Sequence, residues 1–442
     1  VNYATANRPE FSSVWSAIFN SSPAYAPVWS NGGMADVKSG SNPYGRLVKG
    51  GFEKSHNIKV GGKVALNFTP IKELRLTGIM APNITYTSPK TFTKAVGFNP
   101  SDDPTYISGY LNGHEFTSLA EERNNSYSIT WQALANYMRS FGKHDVNVLL
   151  GYESYMYHHE NISAGSSHFD LDRFPYLDAG NKEYARVGGG AYENAYQSWF
   201  GRLMYNYDDR YLLQFNIRRD GSSRFAAPYR WGTFPSFSVG WVISREDFMK
   251  KVDPPGLSFL KLRASWGRLG NERIGNYPYI ALVDLTSSLL YSSPDATEPT
   301  FYKGAAQIQY ALRNITWETT ESWDIGLDAR FFNNRLSLSA DLYTKNTHDM
   351  LLALEIPKYV GYTNPEQNAG KMNTRGYDIE MNWKDRIGEV SYSVAINFSD
   401  YLSKMTDMKG RMMFDSSSSP TRLTTDGHYF QEWYGYISDG IF

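Results

Sequence analysis

The feature that most constrains this chain is a strict two-residue alternation running from Trp199 to Arg219. Trp199, Gly201, Leu203, Tyr205 and Tyr207 fall on one side of an extended backbone, and Phe200, Arg202, Met204 and Asn206 fall on the other. Asp208-Asp209-Arg210 reads as a short turn, and Tyr211, Leu213, Phe215 and Ile217 return against Leu212, Gln214, Asn216 and Arg218. A period of two is that of a strand whose faces meet different surroundings. The first face of the return strand carries no charge over Tyr211 to Ile217. A polar run, Asp220 to Phe225, follows, and alternation resumes with Phe237, Val239, Trp241 and Ile243. One end of the hairpin is tight and the other is long.

Lipid offers the backbone no hydrogen bonds, so only helices and closed barrels cross a bilayer. Barrel strands alternate apolar-out with polar-in, joined by short turns at one end and long loops at the other. A soluble β-sandwich alternates in the same way. Trp and Tyr near strand ends, together with the repeated contrast of short turns and long loops, favour the barrel.

Composition restricts the alternatives. The chain has 442 residues, no cysteine, a formal charge of -1, and 15% aromatic residues with Tyr the commonest. Dispersed Lys and Arg argue against nucleic-acid partners, which need a basic patch. No run of about 18 apolar residues is present. A barrel does not need one, because each strand shows lipid only every second residue. The absence of cysteine suits passage through an oxidising periplasm and equally suits a reducing cytosol. The opening VNYATANRPEF has no basic and apolar leader, and YGYISDGIF reads as the middle of a segment, so an internal part of a longer protein is expected.

Residues 1–55, dense in Ser, Asn, Pro and Gly, are expected to be mainly outer loop. A hairpin follows, with Val60, Val64, Leu66 and Phe68 returning through Pro70–Glu73 to Leu74, Leu76 and Met80. Residues 82–124 are expected to form a long outer loop. Trp131, Ala133, Ala135 and Tyr137 then pair with Val146, Val148, Leu150 and Tyr152 through a turn at Phe141-Gly142-Lys143. Residues 160–191 are a second expected loop. After Ile243, Ser244 is expected to cap one helical turn that ends at Pro254. Leu260, Leu262, Ala264 and Trp266 form another strand face, and residues 267–320 lose periodicity, with room for short strands. The cleanest hairpin sets Trp323, Ile325, Leu327, Ala329 and Phe331 against Leu336, Leu338, Ala340 and Leu342. Its turn, Asn333-Asn334, suits positive backbone angles. A last pair uses Tyr377, Ile379, Met381 and Trp383, a turn near Asp385 to Gly388, and Val390 to Phe398. These segments make roughly a dozen strands, about half of a plugged barrel of about 22.

Catalytic signals are poor. His158-His159 and the run His168 to Asp172 lack a standard ligand spacing and read as solvated loop residues. Glu121-Glu122 and Asp208-Asp209 do not suggest a glycosidase pair. No enzyme activity, metal or cofactor is expected. In DGSSRF and GNYPY, Asp220 and Arg224 are expected to pair locally and hold a loop, with Gly221 allowing the turn and Pro278 stiffening its neighbour. The functional alternative is that Arg218, Asp220, Arg224, Arg268, Asn271, Arg273 and Asn276 ring the mouth of the lumen and meet a hydrophilic solute.

The run RLMYNYDDRYLLQFNIRRDGSSRFAAPYRWGTFPSFSVGWVIS resembles the C-terminal barrel half of SusC/RagA-like TonB-dependent outer-membrane transporters. LKLRASWGRLGNERIGNYPY, TWETTESWDIGLDARFFNNRLSLSADLYTKNTHDMLL, NAGKMNTRGYDIEMNW and GYISDGIF extend the resemblance, in order, over most of the chain. It implies an all-β transmembrane antiparallel barrel, part of a large plugged barrel of about 22 strands, with residues 1–442 a partial barrel domain lacking the plug and the final strands. It further implies a multi-pass protein of the outer membrane of Bacteroidota that imports an oligosaccharide or, next, a peptide. The implied partners are a SusD-like surface lipoprotein, TonB through a segment absent here, and outer-membrane lipid. A passive porin-like or structural barrel, and a soluble β-rich carbohydrate-active protein, are the alternatives that stay open.

Overall fold

The computed structural model describes residues 2–8, 18–19, 21–22, 24–37, 42–252, 256–285, 288–291, 300–307, 310–353, 355–415, 417, 420–438 and 440. Every backbone group that enters lipid needs a partner on a neighbouring strand, and the chain meets this with one fourteen-stranded sheet. Its strands are β1 (Asn2–Arg8), β2 (Gly51–Gly61), β3 (Val64–Ile71), β4 (Leu74–Thr93) and β5 (Ser118–Phe141). They continue as β6 (His144–Ser167), β7 (Arg186–Tyr207), β8 (Tyr211–Ser222), β9 (Trp231–Val242) and β10 (Leu257–Asn271). The last four are β11 (Glu318–Phe331), β12 (Leu336–Ala353), β13 (Glu366–Ile387) and β14 (Val390–Asp407). Neighbours follow chain order, except that β2 and β3 both pair with β4, and the order is linear with an edge strand at each end.

The short turns form where the sequence permits left-handed backbone. Asp208 and Asp209 have φ of 52° and 51°, and the register then runs from Tyr211↔Tyr207 to Ser222↔Tyr196 without a shift. Asn333 and Asn334 have φ of 54° and 66°, joined by Phe332 at 54°. Asp and Asn tolerate this region because their short polar side chains bond locally; Phe332 is held there by its N–H, which donates to the Gly256 carbonyl at 2.6 Å.

Register aligns the two faces across strands. Leu203, Phe215, Phe237, Trp266 and Trp323 stand opposite one another in turn across β7 to β11. One residue along, Gln214, Ser238, Ser265 and Asp324 form the corresponding polar row across β8 to β11. The apolar row faces outward. Leu66 is 75% exposed, Ile325 64% and Leu342 66%, while the polar residues between them are mostly half-buried. Water would make such a face costly, at about 25 cal/mol per Å² of apolar surface; lipid removes that cost. Among the described residues, no helix is long and apolar enough to cross a membrane.

The strands outrun their expected bounds. β5 and β6 have 24 residues each, whereas a tilted crossing needs about 9–11. Thus β4 continues to Thr93 and β5 starts at Ser118, inside the expected 82–124 loop, and β6 and β7 likewise shorten the 160–191 loop. Among the described residues of 1–55, β1, helix α1 (Pro43–Lys49) and the start of β2 interrupt the expected loop; residues 1, 9–17, 20, 23 and 38–41 fall outside the described set. Within 267–320, short pairings join Val283–Asp284 to Ala306–Gln307 and Ser288–Tyr291 to Thr300–Lys303. The last turn falls at Gly388-Glu389, after β13.

The chain divides into two compact units: Val1–Val64, Met80–Thr130 and Tyr155–Glu193, and Ala65–Ile79, Trp131–Ser154 and Asn194–Phe442. In the first, Asn42 is fully buried and caps α1, accepting from Gly45 N–H at 3.0 Å and donating to the Pro27 and Ala35 carbonyls at 2.6 and 2.8 Å. Phe92, also buried, packs between Phe52 and Phe169. In the second, Phe225, Ile274, Ile315 and Trp317 form one core cluster, and Met350, Met405 and Met408 another.

At the short-turn end of the second unit, Ser244 does not cap a helix; it lies within a 3₁₀ turn, Ile243–Arg245, that leads into α2 (Asp247–Val252). Pro254 lies outside the described residues. Glu246 is the organising group. Its carboxylate accepts from Tyr211 Oη at 2.6 Å, Trp241 Nε1 at 3.0 Å and Arg210 Nη1 at 3.4 Å. The bonds from Tyr211 and Trp241 hold its pKa below the ordinary 4.5. Lys143 beside Asp208, and Asn206 with Arg245 beside Asp209, lower those carboxyls in the same way.

Two predictions follow from this geometry. Leu338 lies in the apolar row, whereas Ser339 bonds Asp328 at 2.9 Å and stands opposite Glu380. Leu338→Arg should therefore destabilise the assembled full-length protein by about 2–4 kcal/mol, and Ser339→Arg by much less; heat-modifiability on gels measures both, and equal losses would contradict the assigned faces. Because the Glu246 pKa is lowered on folding, its contribution is present above pH 4.5 and lost as pH falls through the depressed value. Glu246→Gln should lower detergent-phase unfolding resistance at neutral pH, with the gap to wild type closing in acid.

Candidate functional site at the loop end of the sheet

The alternation that sends Phe215 and Ile217 outward sends Arg218 and Asp220 inward, two residues apart on one face of β8. They bond directly, Arg218 Nε donating to Asp220 Oδ1 at 2.6 Å. Arg218 also donates to Glu153 Oε1 at 3.3 Å and to the buried Ser198 Oγ at 2.7 Å, and its guanidinium lies over the Phe200 ring. Gln132 donates to the other oxygen of Glu153. This network joins β5, β6, β7 and β8 on the lumen side.

Asp220 and Arg224 do not pair. Asp220 shares a strand face with Arg218, while Arg224 lies past the end of β8 and reaches another loop. Its Nε donates to Asn276 Oδ1 at 3.3 Å and its Nη1 to the Glu272 carbonyl at 3.2 Å. Beneath it, Phe225 is fully buried against Trp317, Ile274 and Ile315. Tyr279 Oη donates to the Ser223 carbonyl at 3.1 Å, and Trp317 Nε1 to the Arg230 carbonyl at 3.0 Å. The loop after β8 is thereby bonded to the loops that flank β10 and β11.

Arg268 and Asn271 stand opposite Glu321 and Glu318 between β10 and β11 and bond to them. Arg273 is exposed. Its backbone N–H donates to Asn271 Oδ1 at 3.0 Å, and its guanidinium has no partner among the described residues. The seven sequence-derived candidates thus fall into three groups: Arg218 with Asp220; Arg224 with Asn276; and Arg268, Asn271 and Arg273 beside β11.

Two further features belong to the same unit. Deeper on the polar face, Arg263 meets Asp341 at 2.6 Å, Asp328 at 3.3 Å and Asp324 at 3.7 Å, and donates to Ser339 at 3.2 Å. Gly326, opposite Arg263, makes room for this, since a Cβ there would approach Asp341 Oδ1 to 2.3 Å. At the loop end, a groove of about 540 Å³ is lined by Tyr310, Asn314, Tyr362, Gln367 and Asn368 with Leu, Ile, Val and Pro, and no charged residue. Tyr310 and Tyr362 meet edge-on at 6.1 Å. Asn368 is committed to structure, donating to the Thr316 and Asp349 carbonyls. The Arg263 cluster combines Asp324 and Asp328 of β11 with Asp341 of β12; the groove lies where periodicity is absent.

His158 and His159 lie within β6 and not in a loop as expected. His158 Nδ1 lies 2.8 Å from Glu193, and His168 is sandwiched between Phe116 and Tyr184, each ring centroid at 3.7 Å. Among the described residues, no group of three or more His, Asp or Glu is arranged to hold a metal.

Comparison with known proteins gives a consistent result. The family model "TonB dependent receptor-like, beta-barrel" matches residues 6–439. TonB-dependent receptor P39 of Formosa agariphila is 31% identical over 373 residues, 82% of this chain and 34% of the relative. TonB-dependent receptor SusC of Bacteroides thetaiotaomicron is 31% identical over 311 residues, 68% of this chain and 30% of the relative. The chain thus spans about a third of the length of these relatives. Among solved structures, the RagAB peptide importer in its closed-closed state aligns with a TM-score of 0.73 and 26% identity, over 90% of this chain and 42% of that one.

If Arg224 ties the loops as described, Arg224→Ala should loosen residues 223–230 and 272–279 without unfolding the wall. Limited proteolysis of the full-length protein should show faster cleavage in these loops at unchanged heat-modifiability; unchanged cleavage would contradict the tie.

Proposed function

The chain belongs to the TonB-dependent receptor-like β-barrel family, whose members reside in the outer membrane, and from that premise we propose that it forms part of the barrel wall of an active nutrient importer. The observation that carries this reading is the pairing of a lipid-facing apolar row with a polar face on the same strands. In this proposal, residues 1–442 are a partial barrel domain, with the plug and the remaining strands elsewhere in the full-length protein. Energy comes through TonB, and a SusD-like surface lipoprotein covers the loop end. The chain itself performs no catalysis.

The proposed cargo is an oligosaccharide first and a peptide second. An uncharged groove with two tyrosines and the amides of Asn314 and Gln367 suits a neutral hydrophilic solute, which stacks on rings and exchanges hydrogen bonds with amides. The candidates Arg218, Asp220, Arg224, Arg268, Asn271 and Asn276 shape the mouth through the bonds they make to each other and to neighbouring strands, and Arg273 adds an exposed cation. A peptide is favoured only if its termini engage such charges.

Cells carrying the full-length protein should take up labelled oligosaccharide, and uptake should stop on collapse of the proton-motive force or removal of the surface lipoprotein. Uptake that survives both would contradict active import and favour a passive porin. Joint substitution Tyr310→Ala and Tyr362→Ala should weaken oligosaccharide binding roughly threefold to tenfold, as read by calorimetry on the purified complex. Undiminished binding would remove the groove from the cargo path.

A further inference from the structure

We propose that a groove in the outward face of the second unit binds one phosphate-bearing membrane lipid, with an acyl chain along the groove and the phosphate on Arg219. The groove holds about 910 Å³, within the usual range of ligand sites, about 300–1,000 Å³. Gly78, Ala133, Ala135 and Gly201 line it together with Leu66, Phe68, Leu76, Leu150, Tyr152, Trp199 and Ile217. This differs from the outward row at Leu203, Phe215, Phe237, Trp266 and Trp323, where bulky side chains fill each position.

The small residues are not demanded by packing. A Cβ at Gly78 would meet nothing within 4 Å, and one at Gly201 would come no closer than 3.4 Å, to Leu150. Neither glycine has a left-handed φ. Leucine would fit the bilayer at Gly78, yet the sequence leaves an open volume there.

Charge selects the occupant. Arg219 is the one charged residue lining the groove. It stands opposite Trp199 in the register and lies over the Trp231 ring at 5.5 Å, with no carboxylate partner among the described residues. It sits near the loop end of β8, eight positions from Tyr211 at the other end, about the span of a crossing strand. Trp199 and Trp231 mark the interfacial level there. An unpaired guanidinium at that level, at one end of an otherwise apolar trench, matches a lipid with an anionic head and a long tail. The proposal depends on the outward face being lipid-facing and is independent of the cargo reading.

Native mass spectrometry of the full-length protein, purified in mild detergent, tests it. Wild type should retain one phosphate-bearing lipid through delipidation. Arg219→Gln should weaken that retention about fivefold. Gly78→Leu, whose Cβ would meet nothing within 4 Å, should abolish it in molecules that remain folded in the same spectrum. Reconstitution with phosphatidylglycerol alone or with lipopolysaccharide alone distinguishes the two sources of that chemistry, and retention of either agrees with the proposal. An unlipidated wild type, a retained lipid without phosphate, a polypeptide in its place, or equal retention in both variants would overturn it.

Discussion

A bilayer cannot hydrogen-bond a backbone, and nearly every property of this chain depends on that restriction. Neighbouring strands satisfy the ladder, so the sheet must be continuous, and each crossing strand must turn alternate side chains to lipid and to the polar interior. The exposure pattern records it. In β8, Tyr211, Leu213, Phe215 and Ile217 are exposed, while Leu212, Gln214, Asn216 and Arg218 between them are half-buried. The apolar face is therefore the outer one, the inverse of a soluble sandwich.

The same restriction decides where charge goes. Arg263 gathers three aspartates, and Arg218 gathers Asp220 and Glu153, all on the polar face. At the short-turn end, Glu246 collects Tyr211, Trp241 and Arg210 and ties two turns together. At the loop end, the strands leave the bilayer and soluble rules return: Phe225 with Trp317 in one unit and Phe92 in the other are buried as in any water-soluble domain. Loops anchored on such small cores can be held firmly while varying in the residues they show to solute.

What was legible in the sequence follows from which solvent each segment meets. The hairpins at Trp199–Arg219 and Trp323–Leu342 read clearly because one face meets lipid and the other does not, which writes a period of two into the residues. The ends of β4, β5, β6 and β7 were hidden, since a strand with water on both sides has no reason to alternate; Ser118 to Asn125 looks like loop and forms β5. The expected Asp220–Arg224 pair failed because strand parity gives Asp220 to Arg218. Asn42 and the Tyr310–Tyr362 groove carried no signal, because a buried cap and a groove between loops depend on distant segments meeting.

The central claim is the sidedness of the strands, and accessibility along β11 tests it most directly. The chain has no cysteine of its own, so single spin-labelled cysteines can be placed from Trp323 to Ala329 in the full-length protein reconstituted in bilayers. The account predicts that labels at Trp323, Ile325 and Leu327 collide mainly with oxygen dissolved in lipid, and labels at Asp324 and Asp328 with a water-soluble relaxant. Aqueous accessibility at all five positions would contradict a lipid-facing wall.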